Sequence, residues 1–251
     1  MTVGRLYLNI ESFNGPVKVS TWDKNEYRID VRIQAKGYSQ ADAEKSLRDL
    51  KVTLDESLLQ GEKRLTVKCE APFGAQSRYV VEVEAVLPAE ATLGLDLEST
   101  NGPVSVTDLR GTTLKISATN AWLAFTNVRA ESIDGSSSNG RVEGDVEAED
   151  TFLSTSNGRI TLRIPCLSSG EYKLSTSNAA VELSVSDSSS VGYNIDLSTS
   201  NADINVNLPA MVYSRKEGTS NEARTEGFDD KAIQIVIEAS TSNARISIDA
   251  H

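Results

Sequence analysis

Leu153-Ser154-Thr155-Ser156-Asn157-Gly158-Arg159-Ile160-Thr161-Leu162-Arg163-Ile164 is the stretch that decides how this chain is read. Ile160, Leu162 and Ile164 alternate with polar residues, and a period of two is that of a strand with one buried face. Asn157-Gly158 stands just ahead of them. Asn and Gly tolerate the left-handed backbone of a tight corner, so the chain is expected to turn there. If Leu153 points inward, then Thr155 and Asn157 do too, while Ser154 and Ser156 face solvent. The corner at Gly158 then resets the parity for Ile160.

The phrase recurs at Leu174–Val185, Leu197–Leu208 and Ile237–Ile248, with looser copies at Ser99-Thr100-Asn101-Gly102, Ala118-Thr119-Asn120-Ala121 and Ser137-Ser138-Asn139-Gly140. The anchoring residues are Asn101, Asn120, Asn139, Asn157, Asn178, Asn201 and Asn243, at steps of 19, 19, 18, 21, 23 and 42, the last being two periods. A unit of about 20 residues is too small to bury its own apolar face and must stack on its neighbours. The fold class expected is all-β, a β-solenoid or β-roll of such units. Stacking also predicts a structural corner ladder of these seven asparagines, turned inward and bonded amide to amide, with Asn157 and Asn201 flanking Asn178.

Outward from the repeats the pattern changes. Residues 98–251 form the repeat domain, and residues 1–97 are expected to cap it. Ile10-Glu11-Ser12-Phe13-Asn14-Gly15-Pro16-Val17 echoes Leu97-Glu98-Ser99-Thr100-Asn101-Gly102-Pro103-Val104, as if one coil had been separated from the rest by an insertion. Within that insertion Tyr27–Ala35, Leu65–Cys69 and Tyr79–Leu87 read as strands. Ser39 reads as the N-cap of a short helix over Gln40–Lys51, with Ala43, Leu47 and Leu50 on one face. The α+β region would protect the open strand edges at one end of the stack. Met211–Asp230 lacks aliphatic alternation and is expected to be a polar loop extruded from one coil.

Composition agrees with stacked strands. The chain has 251 residues, 39% hydrophobic but only 6% aromatic, so aliphatics rather than rings must fill its layers. The formal net charge is −11, and from Glu98 onward there are 21 acidic against 12 basic residues. An acidic surface repels phosphate backbones and anionic lipid, so no nucleic-acid partner is expected. No membrane span is expected either, because no window approaches ~18 consecutive apolar residues. Met1-Thr2-Val3-Gly4-Arg5 leads into a polar-alternating strand rather than an apolar leader. The chain as it stands therefore reads as soluble and cytoplasmic, and as a cell-envelope or surface protein if a leader has been removed.

Catalytic machinery finds little support. The only histidine, His251, is the last residue, which leaves Ser-His-Asp, Cys-His and His-metal arrangements unsupported. Cys69 and Cys166 lie 97 positions apart and are expected to be buried thiols. Glu143, Asp145, Glu147, Glu149 and Asp150 lack the spacing of a calcium loop and read as a solvated face. Thr155, Thr176, Thr199 and Thr241 recur at the repeat spacing, but the register turns them inward, against an ice-binding rank. No catalytic, cofactor or metal residue is assigned and no cofactor is expected.

The Ser-Thr-x-Asn-Gly phrase with its trailing aliphatics, the short helix and the strand ending at Leu87-Pro88 together resemble the putative-adhesin β-repeat family, also called toast-rack. The likeness covers nearly the whole chain. It implies an envelope-associated, adhesin-like protein of unknown function, with no catalytic residues to carry over. The function expected is a non-enzymatic interaction or scaffold protein with an unidentified protein or surface partner. The alternatives are a polysaccharide-active β-helix enzyme, or a structural unit that self-associates end to end through the solenoid ends.

Overall fold

The computed structural model describes residues 4–251; Met1 to Val3, read above as the lead-in to the first strand, lie outside the described residues. In chain order the elements are β1 (Arg5–Ser12), β2 (Val17–Trp22), β3 (Arg28–Ala35), α1 (Gln40–Asp49), β4 (Lys51–Leu59), β5 (Glu62–Glu70), β6 (Tyr79–Pro88), β7 (Thr92–Ser99), β8 (Val104–Thr107) and β9 (Arg110–Ala118). The long strands β10 (Leu123–Ser137) and β11 (Val142–Thr155) follow. After them come β12 (Ile160–Arg163), β13 (Gly170–Thr176), β14 (Val181–Val185), β15 (Val191–Thr199), β16 (Ile204–Asn207), β17 (Met211–Lys216), β18 (Ser220–Thr225), β19 (Ile233–Thr241) and β20 (Ile246–Ala250). The protein is all-β, with a single α-helix among the described residues.

Pairing forms two long ladders. The first runs β4-β5-β1-β7-β9-β10-β11-β13-β19-β15-β18-β17, parallel from β5 to β15. The second runs β3-β6-β2-β8-β10-β11-β12-β14-β20-β16, parallel from β6 onward. β10 and β11 belong to both ladders and join them into one sheet. The shift of ladder falls at a register break between Phe125 and Val128, where Asn127 adopts φ 50°. One face of each ladder is apolar. Leu8, Leu95, Ile133, Tyr172 and Ile195 point from the first ladder toward Val19, Val106, Val142, Leu162 and Ile248 of the second, and all are at most 1% exposed. Burying each such aliphatic side chain stabilises the fold by ~1.5–3 kcal/mol before chain entropy is counted.

Spatial order departs from chain order at both ends. β1 lies between β5 and β7, with Leu8 opposite Leu65 and Leu95. At the far end β19 lies between β13 and β15, with Ala239 opposite Leu174 and Leu197. Both chain-terminal copies are therefore interior, and a later or earlier copy is laid outside each. Antiparallel strands close the ends: β3 on β6 and β4 on β5 at one, and the β17–β18 hairpin on β15 at the other.

These observations correct several expectations. Met211–Asp230 is no extruded loop: it contributes β17, β18 and a 3₁₀ turn, and buries Asn221, Ala223, Thr225 and Phe228. Its inward positions are Asn, Ala and Thr, so it carried no aliphatic alternation. The helix ends at Asp49 rather than Lys51, and Leu47 is 41% exposed while Leu50 is buried. Its start is as expected, with Ser39 Oγ accepting from the Asp42 N–H at 3.2 Å. The boundary placed between residues 97 and 98 falls inside β7, whose full length pairs with β1.

Candidate functional site

The recurrent corner is the most regular feature of the surface, and it is built from the buried side outward. At six of the seven repeat asparagines the residue two before is a buried hydroxyl: Ser99, Ser137, Thr155, Thr176, Thr199 and Thr241 are each at most 8% exposed, while the residue before Asn120 in that place is Ala118. Thr155 Oγ1 accepts from the Gly158 N–H at 3.1 Å and donates to the Gly140 carbonyl of the adjacent copy at 3.0 Å. Ser137 Oγ does the same between the Gly140 N–H (2.9 Å) and the Ala121 carbonyl (2.9 Å). Thr176, Thr199 and Thr241 donate to the carbonyls of Gly158, Ala244 and Ala179 at 3.1 Å. Corner groups that would otherwise be buried without partners are thereby satisfied.

The asparagines themselves lie on the rim. Asn101, Asn120, Asn139, Asn157, Asn178, Asn201 and Asn243 are all exposed, which overturns the inward orientation expected for them. Strand parity ends at Ser156, because the chain is already turning. The inward place at the corner goes to Gly158, where a Cβ would stand 1.9 Å from the Gly140 carbonyl oxygen. The rim amides still bond to one another. Each Nδ2 donates to the Oδ1 of the copy beside it, from Asn101 to Asn14 (2.7 Å), Asn120 to Asn101 (2.9 Å), Asn139 to Asn120 (2.7 Å) and Asn157 to Asn139 (2.7 Å). The series continues from Asn178 to Asn157, Asn243 to Asn178 and Asn201 to Asn243, each at 2.8 Å. Asn178 therefore stands between Asn157 and Asn243, not beside Asn201. Asn14, missed by counting from the strong copies, extends the series and donates to the Gln76 carbonyl at 2.8 Å. Its Asn-Gly-Pro context, shared with Asn101-Gly102-Pro103, was the available signal.

Beside this rim the first ladder presents hydroxyls to solvent. Ser117, Ser136, Ser154, Ser175, Ser240 and Ser198 stand directly opposite one another on successive strands. Two residues along, Thr119, Ser138, Ser156, Ser177, Ser242 and Ser200 form a second rank, linked from Ser138 to Ser200 by main-chain bonds of 3.2–3.3 Å, while the Thr119 carbonyl accepts from the Asn139 N–H at 2.9 Å. Strand spacing sets neighbouring hydroxyls within a rank ~4.8 Å apart. All of them but Ser198 and Ser200 line a shallow polar groove of about 650 Å³. Adjoining it is a cleft of about 300 Å³ beside Phe152, Lys173, Asp196 and Glu238, in which Phe152 is 48% exposed.

The thiols, the histidine and the acidic run are dispersed or quenched. Burial pushes the Cys69 thiol up to about 11 and raises that of Cys166, so neither free cysteine is a thiolate near neutrality. His251 lies 3.0 Å from Ser184 Oγ at an exposed position. Within the acidic run Glu147 departs from the solvated face expected: it is 5% exposed, accepts from Ser168 Oγ at 3.0 Å and has Arg129 Nε at 3.7 Å. Among the described residues no three His, Cys, Asp or Glu side chains converge as metal ligands, and no helix is long and apolar enough to cross a membrane.

Among solved structures, the chain is similar to a putative cell adhesion protein from Clostridium sporogenes, with a TM-score of 0.46 at 10% identity over 100% of this chain and 94% of the other. It is also similar to a putative adhesin from Bacteroides fragilis, with a TM-score of 0.39 at 6% identity over 98% of this chain and 94% of the other. No protein-family model and no curated protein matches the sequence.

Proposed function

We propose that the chain is a capped β-solenoid acting as a non-enzymatic, adhesin-like interaction protein, which binds a protein or surface partner at the cell envelope through its hydroxyl-bearing face. The observation that carries this proposal is the in-register pair of hydroxyl ranks on the first ladder, flanked by the asparagine rim. A rigid array of short donors and acceptors costs little side-chain entropy to immobilise and suits repeated polar recognition. The asparagine series acts as a structural ladder that keeps the copies in register, so that the ranks stay straight. Self-association would use the strands paired on one side only, β3, β4, β16 and β17. The acidic balance of the chain disfavours nucleic acid as partner.

The test is binding of the full chain to immobilised extracellular proteins and glycans, compared with a Ser154→Arg/Ser175→Arg variant. Both positions face solvent, so the variant is expected to fold as the parent does, by circular dichroism and melting, while losing at least most of the binding. Undiminished binding by the folded variant, or saturable hydrolytic turnover by the parent, would overturn the proposal.

A further inference from the structure

Four of the corners are Asn-Gly steps: Asn14-Gly15, Asn101-Gly102, Asn139-Gly140 and Asn157-Gly158. In such a step the glycine main-chain nitrogen can attack the asparagine side chain, because no Cβ on the following residue hinders the approach. The attacking nitrogen must first lose its proton and be free to move. At three of the steps it is held. The Gly102, Gly140 and Gly158 N–H groups donate to the hydroxyls three residues back, of Ser99 (3.2 Å), Ser137 (2.9 Å) and Thr155 (3.1 Å).

The fourth step lacks this restraint. The equivalent hydroxyl is Ser12 Oγ, which is buried with no hydrogen-bond partner, so it does not hold the Gly15 N–H. Gly15 adopts φ +107°, unlike the other three glycines, and a Cβ there would stand 2.5 Å from the Val81 carbonyl oxygen. The cause is the neighbour. On the outer side of this corner lies the start of β6, which has no asparagine corner of its own, and the Asn14 carbonyl is drawn to the Val81 N–H at 2.6 Å. Asn14 is also the end of the amide series, donating to a main-chain carbonyl rather than to another asparagine.

We propose that Asn14 is the site at which the folded chain undergoes conversion of asparagine to aspartate and isoaspartate. Hydroxide from solvent removes the Gly15 N–H proton, and the nitrogen attacks Asn14 Cγ. The N–Cγ bond forms, the Cγ–Nδ2 bond breaks, and the amide leaves as ammonia after taking a proton from water. A second water opens the resulting five-membered imide at either carbonyl. Attack at Cγ returns aspartate; attack at the main-chain carbonyl gives isoaspartate, which adds a methylene to the backbone at this corner. Either product keeps an acceptor for Asn101 Nδ2 but loses the donor to Gln76, and each adds one negative charge.

The experiment is peptide mapping by mass spectrometry of the intact chain held in mildly alkaline buffer, scoring amide-to-acid conversion and isoaspartate at all four steps. Conversion at Asn14 is expected to exceed that at Asn101, Asn139 and Asn157 by about tenfold, roughly the factor that one hydrogen bond sets on a rate. In denaturant the four steps should converge, because the difference belongs to the fold. Thr155→Val should raise conversion at Asn157 while Thr155→Ser leaves it low. Equal rates at the four sites of the native chain, or Asn14 slower than any other, would overturn the proposal, and the native ranking decides even if Thr155→Val fails to fold.

Discussion

Asn178 Oδ1 accepts a hydrogen bond of 2.8 Å from Nδ2 of Asn243, a residue 65 positions further along the chain. The copy nearest in sequence on that side, at Asn201, is displaced by one place. If the amide series contributes to stability, the coupling should follow this spatial order. A double-mutant cycle on Asn178→Ala and Asn243→Ala is expected to show ~0.5–1 kcal/mol of interaction, and one on Asn178→Ala and Asn201→Ala close to none. Coupling between 178 and 201 alone would contradict the stacking order.

Single substitutions should separate rim from surface. Asn178→Leu removes a donor and an acceptor at an exposed position and should cost about 1–2 kcal/mol in chemical denaturation. Ser177→Ala, at an exposed hydroxyl, should leave the midpoint within ~0.5 kcal/mol.

The buried hydroxyls should matter more than the asparagines. Thr155→Val keeps the shape but leaves the Gly158 N–H and Gly140 carbonyl without their partner, at an expected cost of about 2–4 kcal/mol. Thr155→Ser should recover most of that loss, since serine occupies the equivalent place at Ser137. Equal melting temperatures for the Val and Ser variants would count against the hydroxyl bridge.

Deleting Met211–Asp230 should destabilise the chain, because it strips β18 from β15 and uncovers Tyr193, whose N–H donates to Thr225 Oγ1 at 2.9 Å. The exposed strand edge should also promote aggregation, visible by light scattering. A monomeric deletion variant that melts like the parent would show that β17 and β18 are dispensable.

Alkaline lability should be pronounced. Burial raises the Cys69 thiol to about 11 and also lifts Cys166, Tyr172 and Tyr193, while a hydrogen bond to Glu56 lifts Tyr27 to about 12. Since these values lie higher in the folded than in the unfolded chain, their contribution is complete below the unfolded thiol value near 9. It is lost as pH rises through the folded values. Unfolding free energy should therefore decline steadily from about pH 9 to pH 11, and both thiols should resist alkylation at neutral pH until the chain is unfolded. Rapid native-state labelling of either cysteine would refute the burial argument.

The sequence by itself determined what depends on neighbours along the chain. Period-two alternation in Ile160-Thr161-Leu162 and its copies marked the strands, Asn-Gly and Asn-Ala marked the corners, and Ser39 marked the start of α1. The inward threonines followed from the same parity. Two things were decided only in three dimensions. One was the side on which the asparagines lie, since parity fails once the chain turns and the crowded inward place goes to the small residue after the asparagine, Gly158 at one corner and Ala121 at another. The other was the stacking order. Copies so alike can pair equally well with several partners, so nothing local distinguishes Leu174 opposite Ala239 from Leu174 opposite Leu197. That choice belongs to long-range closure, in which β18 must cover β15, and β3 and β4 must cover β6 and β5.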